Sequence, residues 1–106
     1  MAYADAVFDA LGDPTRRKVL GRLRAGPRSV QQIADGMDVS RPAVSQHLRV
    51  LAEAHLVRVH AVGTRRLYEV DSRGVEAARR WLDGFWDEAL AAFKEAAEAE
   101  ARRERR

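Results

Sequence analysis

Six residues within ten positions, Ser40, Arg41, Ser45, Gln46, His47 and Arg49, carry hydrogen-bonding or cationic side chains. On a helix, Ser40, Arg41, Ser45, Gln46 and Arg49 fall on the side left free by Val44, Leu48 and Leu51, whose steps of four and three mark a buried stripe. His47 lies at the margin of that face. Side chains of these types can read base edges: Gln pairs bidentately with adenine, Arg with guanine, and Ser serves bases or phosphate. The helix itself fits the major groove of B-form DNA. A solvated helix face would carry similar residues, so the surroundings have to decide.

They point the same way. Arg65 and Arg66 stand beside Gly63, where cations can enter a minor groove or grip phosphate, and Arg16, Arg17 and Lys18 form a second basic group. Arg16 and Arg17 are the candidate phosphate contacts of that group. The net charge of +3 says little alone, but its distribution is uneven. From Arg16 to Arg66 there are eleven Lys or Arg against three acids (Asp35, Asp38, Glu53), whereas residues 71–106 hold eight basic and nine acidic side chains. The positive field is confined to the middle of the chain, as a polyanion-binding face requires.

Other chemistries lack their residues. With no Cys there is no disulfide, thiolate metal site or nucleophilic thiol. His47, His55 and His60 are dispersed over a helix, a helix end and a strand, so no metal site follows from their spacing. There is no phosphate-binding Gly loop and no His–carboxylate pairing that sequence spacing would place together, so an enzyme is not expected, and neither is a cofactor. No run approaches the roughly 18 apolar residues of a membrane span, and the N-terminus lacks a secretory pattern. A cytoplasmic protein is expected. At 106 residues, with 46% hydrophobic and 33% charged, the chain reads as one globular domain over 1–106.

The elements that must position these residues follow from caps and periodicity. Tyr3, Val7, Phe8 and Leu11 mark a first helix, stopped by Gly12. Asp13-Pro14 opens a second, with Val19, Leu20 and Leu23 inward, and Gly26-Pro27 closes it. Ser29 caps a short third helix over Val30 to Gly36, with Val30, Ile33 and Ala34 inward. After the turn Met37-Asp38-Val39, Ser40 caps a fourth helix over Arg41 to Ala54, with Pro42 tolerated in its first turn. Two helices joined so closely are the sequence form of a helix-turn-helix. Leu56 to His60 and Arg66 to Val70 read as strands of a hairpin, joined by Ala61 to Arg65. A hairpin directly after a recognition helix is a wing. The expected class is therefore mainly α with a small β-hairpin, five helices plus a two-stranded wing.

From Ser72 to about Ala101 one long helical pattern runs, its apolar residues stepping by three and four, and Arg102 to Arg106 is expected to fray. Trp81, Leu82, Phe85, Trp86 and Phe93 crowd thirteen residues, more apolar surface than the end of a small domain can cover. The expectation is a homodimer built on the first and last helices, with Tyr3 and Phe8 joining those five residues. Two-fold symmetry would place two recognition helices about one DNA turn apart, on an inverted repeat of double-stranded DNA.

Three segments also carry a likeness: Phe8-Asp9-Ala10-Leu11-Gly12-Asp13-Pro14-Thr15-Arg16-Arg17, Ser40-Arg41-Pro42-Ala43-Val44-Ser45-Gln46-His47-Leu48, and Leu56-Val57. In this order and spacing they resemble the arsenical-resistance-repressor (ArsR) family of winged-helix regulators, over about Ala4 to Phe93. The resemblance implies a homodimer on the first and last helices, a recognition helix matching Ser40 to Leu51, and repression by blocking promoter access. Metal-binding relatives use Cys on the helix matching Val30 to Gly36, or Asp and His on the terminal helix. Here the third helix offers Val30, Gln31 and Gln32, and the terminal helix has no His. The likeness is thus to metal-independent, simple or autoregulatory repressors, and no small-molecule effector is specified. Two positions depart from the family pattern. His55 ends a helix where Gly is usual, at a cost of about 1 kcal/mol if left-handed, and Asp38 stands at the usual turn Gly. The rival reading is a winged helix used for protein docking.

Overall fold

The computed structural model describes residues 2–105. In chain order it contains α1 (Ala2–Leu11), α2 (Pro14–Gly21), α3 (Val30–Ala34), α4 (Arg41–Glu53), β1 (Val57–Val62), β2 (Arg65–Val70) and α5 (Ser72–Glu104). The two strands form one antiparallel hairpin, so the architecture is that of a winged helix-turn-helix with five helices.

Side-chain caps set the starts of four helices, each supplying an acceptor to otherwise unpaired N–H groups. Asp13 accepts from the backbone N–H of Thr15 at 2.8 Å and of Arg16 at 3.1 Å. Ser29 and Gln32 form a reciprocal capping box: the Ser29 N–H donates to Gln32 Oε1 at 2.9 Å and the Gln32 N–H to Ser29 Oγ at 3.2 Å. Ser40 accepts from the Ala43 N–H at 3.3 Å. Asp71, which the pattern reading passed over, accepts from the Arg73 N–H at 3.0 Å.

The core gathers one face of each element. Val7, Val19, Ile33, Val44, Leu48, Leu51, Leu56 and Val57 are the largest fully buried side chains. Each contributes on the order of 2 kcal/mol by area removed from water. The expected inward residues Leu20, Val30 and Ala34 are partly buried against this cluster.

Several boundaries differ from the sequence expectation. α2 ends at Gly21 rather than near Gly26, because the chain tightens into i→i+3 bonds, Leu23 N–H to Leu20 and Arg24 N–H to Gly21. The strands reach further than expected: Ala61, Val62 and Arg65 belong to the ladder, and Val62 pairs with Arg65 across Gly63-Thr64. Gly63 has φ 64° and Thr64 does not share that sign, the type II′ pattern whose twist matches a hairpin. A short third pairing joins the wing to the loop before α3, with the Arg28 N–H donating to Tyr68 O at 2.9 Å and the Tyr68 N–H to Arg28 O at 2.8 Å. α5 stays helical through Glu104, so residues 102–105 are ordered helix or its cap rather than a frayed tail. Arg106 lies outside the described residues. His55 is left-handed at φ 57°, as a Gly there would be, whereas Asp38 is not.

The 33 residues of α5 leave the domain after its first two turns, where Gly74 and Ala78 are buried. The molecule is consequently elongated, 75 × 25 × 24 Å.

Candidate nucleic-acid interface

The amphipathic split of α4 is clean. Val44, Leu48 and Leu51 are fully buried, and Ser40, Arg41, Ser45, Gln46 and Arg49 are exposed on the other side. Of this set, Ser40 and Arg49 are engaged within the chain: the Ser40 hydroxyl caps the helix, and Arg49 Nε lies 3.5 Å from Glu53 Oε1. An exposed i,i+4 pair of that kind contributes a few tenths of a kcal/mol, so Arg49 can exchange it for another acceptor.

His47 is different. It is half-buried, and its Nδ1 is buried with no hydrogen-bond partner. Asp13 is the α2 cap. The Asp13 carboxyl is held below its ordinary value chiefly by the Arg16 backbone N–H; burial opposes this, and the Thr15 N–H, Arg16 guanidinium and His47 assist. His47 borders the exposed face of α4.

The two basic groups flanking α4 are not alike. Arg65 and Arg66 are both exposed at the wing tip. Being neighbours in a strand, they project to opposite faces of the hairpin. Arg66 shares its face with half-buried Tyr68, which packs on the core, and Arg65 shares its face with Leu67 and Glu69. Arg16 and Arg17 have internal partners. Arg16 donates from Nε to Ala10 O at 2.7 Å and from Nη2 to Asp9 O at 3.4 Å, with its side chain only 20% exposed. Arg17 donates from Nη1 to Leu11 O at 2.6 Å and remains exposed. Ala10 O and Leu11 O are carbonyls of the last turn of α1, which its own helix leaves unpaired, whereas Asp9 O also accepts from the Gly12 N–H at 3.2 Å.

Sequence spacing missed Arg58 and Glu69. Their register across the hairpin brings Arg58 Nε to 2.7 Å from Glu69 Oε1, and His60 Nδ1 lies 3.7 Å from the same oxygen. Cross-strand partners become visible only once register is known, and the sequence shows none directly. Glu69 thereby offsets one cation on the wing. Among the described residues no group of three or more His, Asp or Glu side chains is placed to hold a metal ion, and no helix is long and apolar enough to cross a membrane.

Away from α4, the aromatic residues of the first and last helices meet. Phe8 and Trp81 pack edge to face with centroids 5.5 Å apart, and Trp81 stacks on Phe85 at 5.6 Å. Tyr3 packs edge-on to His55 at 5.2 Å. Phe8 is half-buried, but Tyr3, Trp81, Leu82, Phe85, Trp86 and Phe93 are exposed, reaching 60% at Trp86 and 73% at Phe93. This is an apolar surface of the kind that monomeric proteins rarely leave open.

Known proteins share this arrangement. A helix-turn-helix domain family matches residues 11–60. The HTH-type transcriptional regulator Rv2034 of Mycobacterium tuberculosis is 46% identical over 96 residues, 91% of this chain and 90% of that protein. The transcriptional repressor SdpR of Bacillus subtilis is 33% identical over 79 residues, covering 74% of this chain and 88% of its own length. Among solved structures, an ArsR-like transcriptional regulator from Rhodococcus sp. RHA1 superposes with a TM-score of 0.77 at 33% identity, over 91% of this chain and 93% of that one. The homodimeric winged helix-turn-helix DNA-binding domain of Mb0332 from Mycobacterium bovis matches with a TM-score of 0.64 at 28% identity, over 84% and 82%. With its capped recognition helix, hairpin wing and these relatives along nearly its whole length, the chain belongs to the ArsR family of winged helix-turn-helix transcriptional regulators.

Proposed function

We propose that the chain acts as a homodimeric repressor that binds double-stranded DNA sequence-specifically and blocks promoter access, its own promoter included. The observation that carries this reading is the exposed polar face of α4, set over a fully buried stripe and capped at Ser40. Gln46, Arg49 and Ser45 read bases in the major groove, Ser40 and Arg41 meet phosphate at the helix start, and His47 borders them. Arg65 and Arg66 stand on opposite faces of the wing tip, and one of them holds the flanking backbone or minor groove while the other contributes less. Arg17 keeps free donors for a phosphate while Arg16 chiefly positions α2 against α1.

The exposed face built from Tyr3, Phe8, Trp81, Leu82, Phe85, Trp86 and Phe93 joins two copies, as the homodimeric Mb0332 domain supports. Half-sites on an inverted repeat follow, about 34 Å apart. The protein works in the cytoplasm, catalyses no reaction and needs no resident metal, consistent with the dispersed His residues.

Titrating labelled duplex with protein at increasing salt tests the reading. Each phosphate neutralised releases counterions, so log affinity should fall linearly with log salt, with a slope of about −0.9 per contact. Absent or salt-independent binding would favour the docking-module alternative.

A further inference from the structure

A groove to which α4 contributes no residue runs from the end of α1 along α2 to the last residue of β2. Its volume is about 270 Å³, and Leu11, Arg17, Leu20, Gly21, Arg24 and Val70 line it. Arg17, Leu20, Gly21 and Arg24 form one stripe of α2 and of the tightened turns that continue it. The two arginines are exposed and stand about 11 Å apart along that axis. Among the described residues neither is ion-paired with an acid, and no acid lines the groove. Arg17 gives one donor to Leu11 O and keeps its other N–H groups.

Between the arginines the floor drops at Gly21. A Cβ there would meet nothing within 4 Å, and its φ is not positive. Neither packing nor backbone conformation within the chain asks for glycine here, and a helix disfavours glycine against alanine. The notch is flanked by apolar surface, with Leu11 and Leu20 half-buried and Val70 39% exposed.

We propose that this groove docks a helix of a partner protein, one that carries two carboxylates at the spacing of Arg17 and Arg24 and an apolar side chain between them that seats over Gly21. The inference does not rest on the DNA reading. Size sets the kind of occupant: pockets that enclose a small molecule run to about 300–1,000 Å³, so an open groove of this volume suits one or two side chains of a protein surface. Charge sets its sign, since the groove holds two cations and lies in the segment with eleven basic residues and three acids. Spacing sets its form. Residues seven apart on an α-helix are separated by about 10.5 Å along the axis, close to the separation of the two arginines. Duplex DNA fits less well, because Leu11, Leu20 and Val70 offer phosphate no donor. Val70 also stands at the base of the wing, about 17 Å along the strand from Arg65 at its tip. Exposed ion pairs contribute little alone, so the seated apolar side chain supplies most of the affinity and the carboxylates orient it.

The probe is a labelled, alanine-based helical peptide of about 15–20 residues with two glutamates at that spacing and a leucine between them. The full chain is titrated into it and binding is read by fluorescence anisotropy, alongside a second peptide with glutamine at both glutamate positions. The acidic peptide should bind saturably and more weakly as salt rises, and the glutamine peptide should bind little. Arg24→Gln should weaken binding about three- to fivefold, and Gly21→Leu, which fills the notch, about tenfold or more. A Cβ at position 21 meets nothing and Arg24 is exposed, so both variants should keep the melting temperature and the duplex affinity of the wild type. No saturable binding of the acidic peptide, equal binding of the glutamine peptide, or binding that neither substitution alters would overturn the docking surface. A loss of duplex affinity in Arg24→Gln, with a salt slope smaller by about one unit, would give the groove to DNA and overturn it as well.

Discussion

The backbone N–H of Gly74, in the first turn of α5, donates to the carbonyl of His55 at 2.8 Å. A Cβ at position 74 would stand 2.6 Å from that same oxygen and 2.8 Å from the carbonyl oxygen of Ala54. The end of the recognition helix and the start of the long helix are thus joined backbone to backbone, with His55 bent into the left-handed region to present its carbonyl.

That contact separates two glycines. Gly74→Ala drives a methyl into fixed backbone, costing about 3 kcal/mol of overlap, offset by about 1 kcal/mol of helix propensity. A net loss of about 2 kcal/mol is expected in urea unfolding. At Gly36 an added Cβ would overlap the Arg22 guanidinium instead, the mobile end of a long side chain. Gly36→Ala should therefore cost less than about 1 kcal/mol. Equal losses at the two positions would contradict this assignment of rigid and yielding neighbours.

Acid sensitivity should come from Asp71. Its side chain is 3% exposed and lies 2.7 Å from the Arg73 guanidinium. The side-chain hydrogen bond from Arg73, then the Arg73 backbone N–H, lower its carboxyl from 3.8 to about 2, against the opposing effect of burial. Because the folded value lies below the unfolded one, the stabilisation is complete above about pH 5 and disappears as pH falls toward 2. It amounts to on the order of 1–2 kcal/mol, Arg73 being largely solvent-exposed. Asp71→Asn keeps a capping oxygen and should flatten that limb of a stability-versus-pH curve. An unchanged acid limb would reject the assignment.

Much of this architecture was legible in the sequence, because capping and periodicity are local. Asp13-Pro14, Ser29 and Ser40 located three helix starts, and Val44, Leu48 and Leu51 located the buried side of α4. What escaped is non-local or depends on side-chain reach. The Arg28–Tyr68 pairing joins segments far apart in sequence, and no periodicity announces it. Arg16 and Arg17 looked like free cations; only the placement of α1 beside α2 shows them occupied by Asp9, Ala10 and Leu11 carbonyls. Ala61 and Val62 resembled loop because weak alternation hides the two-residue turn that begins at Gly63.

The wing arginines should prove unequal. Arg65 and Arg66 project to opposite sides of the hairpin, so both cannot follow the same strand of a duplex. Alanine at one should lower the salt slope by about one unit, the signature of a single lost phosphate. Alanine at the other should change it far less. Matching slopes for the two variants would show that the tip bends enough to use both together.

The account stands on α4 reading bases. Its most direct test is selection of bound sequences from random duplex DNA, run in parallel on the wild-type chain and on Gln46→Ala and Arg49→Ala variants. The wild type should enrich an inverted repeat, and each variant should lose preference at particular positions of the half-site, at about 1–3 kcal/mol per bidentate contact. Recovery of the same repeat by all three proteins, or no enrichment by the wild type, would contradict the claim that this helix face reads DNA.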